Sequence, residues 1–246
     1  FNALLSRMRR AFNAQQHFVA DAAHELRSPL AALKLQIQGL QRAPDDAART
    51  AATSRLMSGI DRATRLVEQL MVLARQEEQA STGTVDQAVS LDELARQVVA
   101  DAAPFAAQRE IDLGLPHADA VVVSGQAEAL RILLRNLIDN AIKYTPTQGT
   151  VDVRVERRGK DEAVLTVDDS GPGIAPEDRA VVLQRFHRAT STSATRALDQ
   201  AAVQGSGLGL AIVDTIARSH GSTVELSDSP TLGGLRVTIV FQAMSE

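Results

Sequence analysis

The chain has 246 residues, 44% hydrophobic and 23% charged, a globular composition with material for one large or two modest domains, and its change of character near residue 80 favours two. A formal charge of -4 with no dominant basic stripe excludes nucleic acid as an expected partner. The absence of cysteine excludes disulfides and thiolate metal sites, no apolar run approaches the roughly 18 residues of a membrane span, and no signal peptide is visible.

The first element begins mid-pattern in "FNALLSRMRRAF", like a helix cut from something longer. Leu5, Phe12, Val19, Leu26, Leu33 and Leu40 recur every seven residues, with Met8 and Ala22 at companion positions, which predicts one amphipathic helix to about residue 42. Ala43-Pro44-Asp45-Asp46 supplies a breaker and capping carboxylates. Leu56, Ile60, Ala63, Val67, Leu70 and Ala74 then repeat at helical spacing, so the two segments predict an antiparallel hairpin. Two helices alone bury too little surface, and a second copy completing a four-helix bundle predicts a homodimer.

From about 79 to 89, "QASTGTVDQAV" is polar and loses the heptad, as a linker does. Ser90-Leu91-Asp92-Glu93 has the pattern of a capping box opening a helix to about 108, and "ALRILLRNLIDNAIKY" predicts a second helix. "TVDVRVE" and "GLRVTIVF" alternate as half-buried strands do, with "AVLTVDDSG" and "STVELSD" as shorter strands. The second half therefore reads as an α+β sandwich, helices on one face of a mixed sheet.

Four stretches carry chemistry. In "DAAHELRSPL", His24 falls on the outer face of the bundle with Glu25 beside it, where the carboxylate can orient one ring nitrogen so that the other attacks. Pro29 bends the helix locally. Alone, the pair reads as a surface histidine, like His17 one heptad earlier. Asn136 and Asn140 lie one helical turn apart, followed by Lys143 and Tyr144, and amide oxygens are hard ligands that suit Mg²⁺ beside phosphates. "DDSGPGI" sets Asp169, Gly171 and Gly173 in a turn after a strand, where a carboxylate can accept a hydrogen bond from an exocyclic amine. "GSGLGLAIV", with Gly205, Gly207, Leu208 and Gly209, runs into a helix N-terminus, which favours phosphate.

The order His-Glu-x-x-Ser-Pro, Asn-x-x-x-Asn, Asp-x-Gly-x-Gly, Gly-x-Gly-x-Gly-Leu resembles the sensor histidine kinases of bacterial two-component signalling, from about residue 16 to the end. The resemblance implies a truncated signalling helix (1–15), a dimerisation and histidine phosphotransfer domain (16–80), a linker (81–89) and an ATP-binding catalytic domain (90–246). The last would have the fold of gyrase and mismatch-repair ATPases. It further implies that His24 is the phosphoacceptor and Glu25 its acid/base partner, with Ser28 orienting a water that dephosphorylates the regulator. Asn140 would hold Mg²⁺ with Asn136 assisting, and Lys143 and Tyr144 would lie near the nucleotide. Asp169 would read the adenine amine, Phe186 would match the family's phenylalanine motif, Arg188 would offset phosphate charge, and residues 187–206 would form a lid over ATP.

The implied reaction is ATP-dependent phosphorylation of His24 and transfer to an aspartate of a response regulator. The rival is an ATP-hydrolysing dimeric clamp of the gyrase type, but those relatives carry a glutamate that activates water where this chain has Asn136. The abrupt helical start adds the expectation of a native protein anchored in the inner membrane, with this portion cytoplasmic.

Overall fold

In the computed structural model the described residues are 23, 26, 27, 29–79, 87–184 and 207–244. They fall in two compact units, Phe1–Met71 and Val72–Glu246. No helix among the described residues is long and apolar enough to cross a membrane.

In the first unit, helix α1 occupies residues 29–41, with 23, 26 and 27 also helical. Helix α2 spans Asp46–Gln79. The breaker acts where expected, and Asp45 caps α2, its Oδ1 accepting the Ala48 N–H at 2.7 Å. The short turn between the helices makes an antiparallel hairpin. Ala52 and Gly59, one heptad apart on α2, are buried because small residues let the helices close up. A Cβ on Gly59 would stand 2.8 Å from Leu33 Cδ2 and 2.5 Å from Gln36 Oε1.

The seam differs from the heptad reading. Leu26, Leu33 and Leu40 are half-buried, and Leu33 faces its own hairpin partner. The outward apolar stripe consists of Leu30, Leu35 (68% exposed) and Ile37 on α1 and Met57, Ile60, Val67 and Met71 on α2. A helix in a four-helix bundle needs a stripe wider than every seventh residue, because it must meet one neighbour within the chain and others beyond it.

The second unit contains a five-stranded sheet in the order β2-β4-β5-β7-β6 and a two-stranded sheet, β1-β3. These strands are β1 (Gln87–Ser90), β2 (Asp112–Ala118), β3 (Val122–Gly125), β4 (Thr150–Arg158), β5 (Glu162–Asp169), β6 (Val224–Asp228) and β7 (Leu235–Gln242). The β2-β4 pairing is parallel and all others are antiparallel. Three helices, α3 (Leu91–Gln108), α4 (Ala127–Tyr144) and α5 (Gly209–Ser219), pack on one face of the larger sheet.

Alternation builds that layer. Val151, Val153 and Val155 of β4, Ala163, Leu165 and Val167 of β5, and Val237, Ile239 and Phe241 of β7 are buried beneath the helices. Leu130, Leu133, Leu134, Ile138 and Ile142 of α4 and Ile212 and Ile216 of α5 meet them, fully buried. Each such side chain contributes about 1.5–3 kcal/mol on leaving water. The intervening strand residues, Asp152, Arg154, Thr166, Asp168, Arg236 and Thr238, occupy the opposite face.

Two readings are corrected. Residues 87–89, expected in the linker, are strand β1, paired with β3 from Gln87↔Gly125 to Ser90↔Val122. The capping box does not form, since Ser90 makes no side-chain bond to the helix backbone and its Oγ instead donates to Asp92 Oδ1 at 2.8 Å. The strand pairing fixes Ser90, and a short carboxylate two residues on is within easier reach than a backbone N–H.

His220 ties the helices together. Its Nε2 accepts the Gln126 N–H at 3.2 Å, its Nδ1 lies 2.8 Å from the Ile216 carbonyl oxygen, and its ring meets Phe241 edge-on at 6.5 Å. Gly125 makes room, since a Cβ there would stand 2.5 Å from the imidazole Cδ2. The start of α4 and the end of α5 are thereby joined.

Candidate functional site

Helix α4 carries the first site residues. Asn136 is buried, and its Nδ2 donates to the Ile132 carbonyl one turn back at 2.8 Å, which fixes the carboxamide along the helix. Asn140, one turn on, turns toward α5: a Cβ on Gly209 would lie 2.8 Å from Asn140 Nδ2 and 3.1 Å from Oδ1. The absent side chain at Gly209 therefore lets the first turn of α5 approach the asparagine. Lys143 Nζ sits 4.9 Å from the Tyr144 ring centroid and 3.5 Å from its hydroxyl. The helix then stops, because Thr145 precedes a proline and adopts extended φ/ψ.

Asp169 ends β5 on the helix side of the sheet, opposite Val151 of β4. It is 6% exposed. Its Oδ1 accepts two backbone N–H groups, Gly171 at 2.8 Å and Leu235 at 3.1 Å, leaving Oδ2 with no such partner. Burial pushes the carboxyl up from its ordinary 3.8, the two N–H bonds pull it down, and the charge of Asp168 adds to the rise. Gly171 packs against α4, where a Cβ would be 2.8 Å from the Tyr144 carbonyl oxygen, and Gly173 has a φ of +69°.

The third component is the entry to α5. Gly207 has a φ of +68°, and Leu208 is fully buried, its carbonyl accepting the Ile212 N–H at 2.9 Å. The structure thus brings Asn140, Tyr144, the Asp169 turn and Gly209 together around the last turns of α4. His24, Glu25, Ser28, Phe186, Arg188 and Gly205 lie outside the described residues.

One contributor was not anticipated. Gly234 donates its N–H to the Asp169 carbonyl at 3.1 Å, and a Cβ there would run into both the carbonyl and carboxylate oxygens of Asp169 and lie 2.6 Å from Gly171 N. The paired glycines before "LRVTIVF" were the available signal. Gly234→Ala is expected to cost about 3 kcal/mol of stability, since backbone atoms cannot rotate away, and to weaken nucleotide binding. Urea denaturation and nucleotide titration check this; an unchanged midpoint with unchanged affinity would show that the approach is not tight.

Residues 125–244 match the family described as histidine kinase-, DNA gyrase B-, and HSP90-like ATPase, and residues 14–79 match the His Kinase A (phospho-acceptor) domain. Over 240 residues the chain is 42% identical to sensor protein QseC of Salmonella typhi, covering 97% of this chain and 50% of that protein. The chain belongs to the sensor histidine kinases. As a histidine kinase chain it is also 36% identical over 238 residues to sensor protein kinase PmrB of Pseudomonas aeruginosa, covering 97% of this chain and 48% of that one. Among solved structures it is similar to the mycobacterial sensor histidine kinase MprB, at a TM-score of 0.56 and 27% identity over 66% of this chain and 100% of that one. This histidine kinase chain spans about half the length of the curated relatives it matches.

Proposed function

We propose that this chain moves the γ-phosphoryl group of ATP to a ring nitrogen of His24 and then to an aspartate of a response regulator. The observation that carries the reading is the meeting of Asn140, the Asp169 turn and Gly209, far apart in sequence, at the end of α4. The chain's N-terminal part supplies the acceptor by its match to a phospho-acceptor domain.

The residues present fit a magnesium nucleotide. Asn140 and Asn136 are uncharged amide donors, suited to a hard cation whose charge is already met by phosphate oxygens. The glycine entry to α5 offers backbone N–H groups and a helix N-terminus without side chains in the way. When bound, the magnesium nucleotide supplies an activated phosphoryl group.

The chain's own residues do the rest. Asp169 accepts the adenine amine, while Gly171 and Gly173 let the backbone approach the base. Tyr144 and Phe186 flank the nucleotide, residues 187–206 exclude water, and Lys143 and Arg188 offset charge beside the N–H groups of Gly205, Gly207, Leu208 and Gly209. Glu25 holds the proton on one nitrogen of His24 so that the other is the nucleophile, and Ser28 orients water for regulator dephosphorylation.

Two copies complete the bundle through the exposed stripe of α1 and α2. Ile60→Asp, which would bury an unpaired charge in that interface, is expected to halve the mass in light scattering to the 26.3 kDa of one chain. A full-mass Ile60→Asp dimer would move the interface elsewhere. Membrane anchoring of the native protein belongs to the same reading, supported by the relatives named as sensor proteins.

The gyrase-type clamp is separated by where the γ-phosphate goes. With γ-labelled ATP and Mg²⁺, the kinase reading expects label on the protein. Release of free phosphate with no labelled chain would favour the clamp.

A further inference from the structure

The residue before Asp169 faces the other way. Asp168 is fully buried on the helix-free face, and Arg236 forks onto it, Nε to Oδ1 at 2.7 Å and Nη2 to Oδ2 at 2.8 Å. Arg154 adds a third bond, Nη1 to Asp168 Oδ2 at 2.6 Å, and its Nη2 holds Asp152 Oδ2 at 2.6 Å. Asp152, Asp168 and Arg236 stand directly across from one another on β4, β5 and β7. Two acids and two bases thus form a neutral clasp over the central strands, at the end of the sheet that carries Asp169.

Stability alone gives little reason for such a clasp. A buried ionic cluster loses hydration, and apolar residues of similar volume commonly hold strands as well or better. Its position is more informative. Arg236 follows Leu235, whose N–H holds Asp169 Oδ1, and β7 begins at that residue after two glycines. The Asp168↔Arg236 pair is the last pairing of β5 with β7 before the site.

We propose that Arg236 is a positioning residue for adenine recognition: its fork onto Asp168 locks the strand pairing that keeps the Leu235 N–H on Asp169, leaving the other carboxylate oxygen to the base. This rests on the reading of Asp169 as the group that accepts the adenine amine. The clasp also acts through charge. Asp168 contributes to the rise of the Asp169 carboxyl, after burial, and Asp168 is itself paired with the guanidiniums of Arg154 and Arg236. Of the other charged groups on the adjoining strands and helix, Asp152 of β4 is held by Arg154, Glu156 of β4 also acts on Arg236, and Lys143 of α4 is held at the Tyr144 ring.

The test compares the affinity of the full 246-residue chain for ATP and for purine riboside triphosphate, which lacks only the exocyclic amine. Asp169→Asn removes the wild-type preference for ATP. Arg236→Gln is expected to lower ATP affinity by about tenfold while affinity for the amine-free analogue stays within about twofold, and adding it to Asp169→Asn should cause little further loss. Arg236→Lys keeps the charge and the stem without the fork, so it shows the same loss in lesser degree, and it decides the matter by the same ratio if the glutamine variant does not fold. A wild-type ratio in the Arg236 variants beside a lost ratio in Asp169→Asn overturns the proposal, as does equal weakening of both nucleotides. If Asp169→Asn itself keeps the wild-type ratio, the adenine reading fails and the proposal falls with it.

Discussion

His24→Gln is expected to abolish incorporation of the γ-phosphate into the chain, a fall of at least about a thousandfold, because glutamine offers no nucleophilic nitrogen lone pair. Nucleotide affinity should stay within about twofold, since the residues assigned to the nucleotide lie in a different unit from His24 and the substitution preserves polarity and approximate size. The dimer should survive as well. By the heptad, His24 falls outside the apolar seam, and surface substitutions away from special features usually change stability by less than about 0.5 kcal/mol. His17→Gln, one heptad earlier, is the control and should label normally. Autoradiography of the three proteins decides; label lost from the His17 variant and kept by the His24 variant would reverse the assignment.

Asp169→Asn should weaken ATP binding by about 1.5–3 kcal/mol, the value of a hydrogen bond to a charged group. Its Oδ1 can keep the Gly171 and Leu235 N–H bonds, but its amide nitrogen would then face the adenine amine, donor against donor. Without nucleotide the same change should not destabilise the protein. Burial raises the folded carboxyl above its ordinary 3.8, so the folded state holds the proton to higher pH than the unfolded chain does. Folding stability therefore falls as pH rises from 3.8 through the raised folded value, and the ionised, empty site carries that loss at neutral pH. Asparagine has no such titration. Wild-type ATP affinity should fall on acidification through the same window, as the acceptor becomes protonated, while the variant stays flat. Isothermal titration across that range, with thermal melts of both apo proteins, is the check. Parallel pH profiles would remove Asp169 from recognition.

The long helices were legible because an apolar repeat near 3.6 survives any tertiary context, and β4 and β7 because strict alternation marks a strand with one covered face. Strands β1, β2 and β3 were not. β1 is only four residues, and β2 contains Pro116 and shifts register between Gly114 and His117, which interrupts the period. Of the two aspartates ending β5, the glycine pattern pointed to Asp169, and the pleat explains the choice by sending Asp168 to the opposite face. Gly234 and His220 were missed for a common reason. Their partners, Asp169 and Gln126, lie far away in sequence: the paired glycines mark a tight backbone at Gly234 but not what it approaches, and a histidine carries no local signal of its contact.

The central claim is that ATP phosphorylates a histidine of this chain. The direct measurement is the chemical stability of the label after incubation with γ-labelled ATP and Mg²⁺. A phosphoramidate on imidazole is lost in acid and kept in base, and that is the expected result, with the label recovered in the peptide that contains His24. Label that survives acid, as a serine or threonine ester would, or release of all the phosphate to solution with none on the chain, would contradict the account.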